Sequence, residues 1–146
     1  TSSFVRALFM IRGTTNALLR LPSGKISDRI GWKKPIMLSY IILVCVFYLF
    51  SEADNLIAFM LIIAFYGVAW GLRVAPEMSL LSDLVDSEDV NVGIALLQTM
   101  FPLGGTIGSV LAGWLAEIVS FQTILKISSL TIVPAIIILL MIKVEK

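Results

Sequence analysis

The chain has 146 residues, of which 58% are hydrophobic and only 14% charged, and its mean hydropathy is +0.98. Soluble domains carry about 45–50% apolar and about 25% charged residues, so a soluble or a disordered chain is excluded and an integral membrane protein remains. The 11 Lys and Arg against 10 Asp and Glu leave a net charge of +1, which provides no basic field for nucleic acid.

Five apolar runs are long enough to read as membrane-crossing helices, at residues 4–21, 35–50, 56–81, 92–115 and 123–142. Strands of a membrane barrel would alternate over about ten residues, and none of these runs does. The expected fold is therefore all-α, with residues 1–146 forming a single membrane domain of five spans. Residues 36–50, IMLSYIILVCVFYLF, are apolar almost all round, as expected of a helix facing lipid. The third run continues past Trp70 through Arg73, Pro76 and Glu77. At about 1.5 Å per residue it overshoots a hydrocarbon core of about 30 Å, so it is expected to tilt, kink near Pro76 or emerge from the membrane.

Between the first two runs, Pro22 and Gly24 read as the end of a helix and Gly31 as a tight turn. Lys25, Arg29, Lys33 and Lys34 crowd this loop, whereas the loops on the opposite side hold Glu52, Asp54 and Glu117 without a Lys or Arg. The positive-inside rule then puts the 25–34 loop in the cytoplasm, with the start of the chain outside and the tail, carrying Lys143 and Lys146, inside. The segment SDLVDSEDVN falls on the same side with four acids; acidic residues contribute little to orientation.

Charged side chains at membrane depth are costly and face a bundle interior or an aqueous path. Arg12 lies near the middle of the first run, with Asn16 one turn on, and Arg73 and Glu77 stand four apart in the third, where they can pair. These four, with Trp70, are the expected lining of a substrate cavity, and two arginines suit an anionic or zwitterionic solute. Gly104, Gly105, Gly108 and Gly113 give the fourth run a small-residue face of the kind that lets helix backbones approach closely. An enzyme is not expected: the chain has no His, its one Cys, Cys45, lies in a lipid-like run, and no acids pair within the membrane. Neither a metal nor any other cofactor is expected.

Residues 21–34, LPSGKISDRIGWKK, resemble the signature loop of the major facilitator superfamily of secondary transporters, Gly-x-x-x-Asp-Arg-x-Gly followed by basic residues. The matches are Gly24, Asp28, Arg29, Gly31, Lys33 and Lys34. GVAWGLRVAPEMSLLSDLV is similar to the end of the family's fourth or tenth helix, and GGTIGSVLAGWLAE to its fifth or eleventh. The resemblance implies five of the six helices of one half. AFYGVAWG lacks the arginine common in the N-terminal half, and MIKVEK reads like a protein terminus. Helices eight to twelve of the C-terminal half are therefore expected, with the N-terminal half as the missing partner. In such proteins Asp28 would face the amides near Val92 and Gly93, and Arg29 would approach Asp83, forming a gate. The second and fifth runs would face lipid while the other three lined the cavity. The implied function is transport of a small solute by alternating access in the plasma membrane. A non-transporting scaffold or sensor of the same architecture is the alternative.

Overall fold

A computed structural model describes residues 2–142, so the tail lysines Lys143 and Lys146 lie outside the described residues. The described chain is all helix and connecting turns: α1 (Ser2–Ile30), α2 (Lys33–Glu52), α3 (Leu56–Leu84), α4 (Val90–Ala116), α5 (Phe121–Thr131) and α6 (Val133–Met141). Four segments are long and apolar enough to cross a membrane: α2, α3, α4 and the α5–α6 pair taken together over Phe121–Met141. The 29 residues of α1 would reach about 43 Å at 1.5 Å per residue. Its length suffices to span, but Arg6, Arg12, Arg20 and Asn16 dilute its hydropathy.

The first helix does not stop at Pro22 and Gly24, as the sequence suggested, but runs eight residues beyond Pro22 to Ile30. A proline inside a helix removes one backbone donor and leaves carbonyls of the preceding turn short of partners. The carbonyl that loses its donor is that of Leu18, four residues back; the Ser23 hydroxyl donates instead to the Arg20 carbonyl, at 2.9 Å. A Cβ on Gly24 would meet Ala75 Cβ at 3.8 Å, ordinary contact, so α1 packs on α3 here without requiring a glycine. The stop is Gly31, whose φ of +82° suits glycine and whose N–H donates back to the Ser27 carbonyl at 2.9 Å. Past the second break, Asn55 caps α3 by accepting the Ala58 N–H at 2.8 Å. Pro76 leaves α3 helical through Leu84. Pro134, by contrast, lies at the start of α6, and the chain turns at Ile132 just before it.

The core is built on α3. Gly67 and Gly71 bring it against α1: a Cβ at Gly67 would collide with Thr15 Oγ1 and come within 2.7 Å of the Arg12 carbonyl, and one at Gly71 within 2.8 Å of the Asn16 carbonyl. On the other side α2 buries Ile36, Ser39, Leu43 and Val46, spaced three and four apart on one face. The Ser39 hydroxyl crosses to the Ala69 carbonyl of α3 at 2.7 Å. The opposite face of α2 leaves Leu38, Ile41, Tyr48 and Leu49 exposed, so this helix is lipid-like on one side only. α5 and α6 lie against α2, contributing Ile124 and Leu139 to the core. α4 touches α3 and α5 lightly and buries none of its residues among those described.

Candidate functional site

A stripe along α3 carries most of the site. Tyr66, Trp70, Arg73 and Glu77 recur at intervals of four, three and four, which places them on one helical face. The Arg73 guanidinium lies 4.2 Å from the Trp70 ring centroid, 5.1 Å from that of Phe101 on α4 and 5.7 Å from that of Tyr40 on α2. Its Nε is 3.0 Å from Glu77 Oε1, the i,i+4 pair that the sequence allows, with the two side chains 9% and 12% exposed. The Nε–H is not aimed at that oxygen and has no hydrogen-bond partner among the described residues, so the pair is held by charge. Trp70 Nε1 is likewise buried without an acceptor. Two donors thus lie buried and unbonded side by side.

Toward the other end of the stripe, Arg12 of α1 places its guanidinium 4.9 Å from the Tyr66 ring centroid, and Tyr66 meets Trp70 edge to face at 6.3 Å. Arg12, Tyr66, Trp70, Arg73 and Glu77 therefore form one connected row across two helices. Arg12 has no carboxylate within ion-pair distance among the described residues. It is the one charged group lining an apolar cavity of about 400 Å³, among Phe9, Phe47, Phe59 and Phe121. One turn on from Arg12, the Asn16 backbone packs against Gly71. Glu77 also lines a narrower crevice of about 190 Å³ between α2, α3 and α6, with Tyr40 and Leu139. Tyr66, Tyr40 and Phe101 were not singled out from the sequence. Tyr66 could have been, standing one turn before Trp70; the other two come from separate helices, and no spacing reveals them.

The signature residues gather at one end of the bundle. Asp28, Arg29 and Asp83 line a polar cavity of about 430 Å³, but Arg29 and Asp83 are not within ion-pair distance. Asp83 instead accepts a hydrogen bond from Trp32 Nε1 at 2.8 Å. No hydrogen bond joins Asp28 to Val92 or Gly93 among the described residues, and Gly93 packs on Leu81. Lys33 donates to the carbonyls of Leu140 and Ile142 at 2.9 and 3.0 Å, capping the end of α6. Lys34 is exposed. Gly104, Gly105, Gly108 and Gly113 have nothing within 4 Å of where a side chain would begin. At the far end of the bundle Lys126 pairs with Glu52 at 2.6 Å, with both side chains about half exposed.

Long apolar helices and a glycine-tight helix pair define a multi-pass helical membrane protein. Residues 1–146 match the sequence profile of the Major Facilitator Superfamily, and the chain belongs to that family. It is 30% identical over 134 residues to an uncharacterized MFS-type transporter of Methanocaldococcus jannaschii. That alignment covers 91% of this chain and 33% of the relative, so the chain spans about a third of the relative's length. No solved structure matches it.

Proposed function

We propose that this chain is one part of a secondary transporter that moves a small solute across a membrane by alternating access, as opposed to an enzyme. The observation that supports this best is the row of Arg12, Tyr66, Trp70, Arg73 and Glu77 inside the helix bundle. It presents an uncompensated cation and two unbonded donors where apolar side chains would otherwise suffice. In this reading α1 is the fifth span, made less hydropathic by the groups it contributes to the path. Arg12, Asn16, Trp70, Arg73 and Glu77 line the path, and Arg12 attracts the negative group of an anionic or zwitterionic substrate. The Arg73 charge is largely offset by Glu77 and serves the shape and polarity of the site more than its net charge.

The remainder of the path belongs to a partner portion, the N-terminal half of the same transporter, which meets the open face of α4. The chain then supplies helices eight to twelve. The signature loop from Gly24 to Lys34 acts as the gate on the cytoplasmic side of the plasma membrane, with the end of α6 on the same side. The test is uptake by the full-length protein in proteoliposomes, after organic anions and zwitterions have been screened for thermal stabilisation. Arg12→Gln is expected to abolish stabilisation by the active solute while leaving the unliganded melting temperature nearly unchanged. A solute whose stabilisation is insensitive to Arg12 would remove this residue from the path.

A further inference from the structure

The end of α3 is held by a donor other than the one that the signature motif offers. α1 ends at Ile30, and Gly31, with φ +82°, turns the chain so that Trp32 opens α2. From there its indole reaches back to Asp83, Nε1 to Oδ2 2.8 Å. Arg29 lies inside the last turn of α1, exposed, and has no carboxylate within ion-pair distance among the described residues. Both Trp32 and Asp83 belong to the wall of the 430 Å³ cavity, together with Ser27 and Ser79. Ser27 is only 5% exposed, and its hydroxyl has no partner among the described residues. Two lining residues of a cavity with an unsatisfied polar group in its wall are thus joined by a hydrogen bond between the α1–α2 junction and α3.

We propose that Trp32, and not Arg29, is the positioning residue that holds the signature loop against the end of α3, and that breaking its bond to Asp83 opens the cavity in which Ser27 is buried. A neutral N–H donating to a carboxylate makes one directional, charge-assisted bond. It needs no second ion, so Arg29 stays free for contacts outside the pair. The role of this contact as part of a gate rests on the transporter reading; the contact itself does not, and it can be tested without any substrate.

In the full-length protein with its native cysteines replaced, Ser27→Cys supplies a buried reporter thiol, and its rate of modification by a small hydrophilic maleimide is followed in detergent. Trp32→Phe, which keeps a ring but loses the donor, is expected to speed modification about fivefold, the effect of losing a hydrogen bond of ordinary net strength. Asp83→Ala should match it, and the two together should be no faster than either alone, as for partners in one contact. Asp83→Asn, which retains an acceptor oxygen, should fall between Asp83→Ala and the parent, and Arg29→Gln should leave the parent rate unchanged. Monodisperse elution and unchanged helical circular dichroism accompany each variant. Faster modification with Arg29→Gln and none with Trp32→Phe would overturn the proposal, as would additive effects of Trp32→Phe and Asp83→Ala. Uptake is not read, so failure of the transporter reading would leave this outcome standing.

Discussion

Arg73 shows how an ion is kept inside a bundle of apolar helices. Moving a charge out of water is repaid only with a close counter-ion and polarisable neighbours, and Arg73 has Glu77 at 3.0 Å and aromatic faces from three helices. Removing one partner of such a pair strands the other. Glu77→Gln is therefore expected to lower the stability of the purified protein by about 3 kcal/mol, whereas Arg73→Met with Glu77→Leu should cost less than that single change. Denaturation of both variants in detergent, followed by tryptophan fluorescence, compares them directly. Lys126 with Glu52 is the contrasting case. Both side chains are about half exposed, so Lys126→Met should leave the melting temperature essentially unchanged despite the 2.6 Å contact. The i,i+4 relation made the first pair readable from the sequence. The second joins α2 to α5, and the stacking of Arg12 on Tyr66 joins α1 to α3. Neither can be read from spacing within one helix.

At the scale of the helix, apolar length was the reliable signal and punctuation the weaker one. The runs at 35–50, 56–81, 92–115 and 123–142 correspond to the four segments apolar enough to cross a membrane. Pro22 and Gly24 misled because helix-breaking residues are tolerated where packing against a neighbouring helix holds the segment, here the length of α3 lying along α1. The glycines that bring helices together among the described residues are Gly67 and Gly71, whose role depends on α1 lying across them. Gly67→Leu should accordingly destabilise the protein by about 1–3 kcal/mol through overpacking against the α1 backbone, measurable as a lower melting temperature. The end of α6 offers a second check. Its last carbonyls are satisfied by Lys33, so Lys33→Met, which keeps the stem and loses the donors, should speed amide hydrogen exchange in residues 138–142 and leave α5 unaffected.

For the molecule as a whole, the decisive asymmetry is between α3, enclosed by α1 and α2, and α4, which buries nothing of its own among the described residues. A helix exposing Leu96, Met100, Leu103, Ile107, Val110 and Trp114 is suited to lipid all round, but lipid gives no reason for the interleaved Gly104, Gly105, Gly108, Ser109 and Gly113. Small residues at spacings of three and four are what a helix presents to another helix that must come close or slide. The matched relative is about three times the aligned length, which supplies enough chain to cover that face. If the partner half covers it, bulk added there acts only through contacts outside residues 1–146. Gly108→Leu in the full-length transporter should then lower the melting temperature by several degrees and reduce uptake, while Val110→Leu, two positions on and pointing elsewhere, should do neither. An unchanged melting temperature for Gly108→Leu would assign the glycine face to lipid and move the interface between halves to α1.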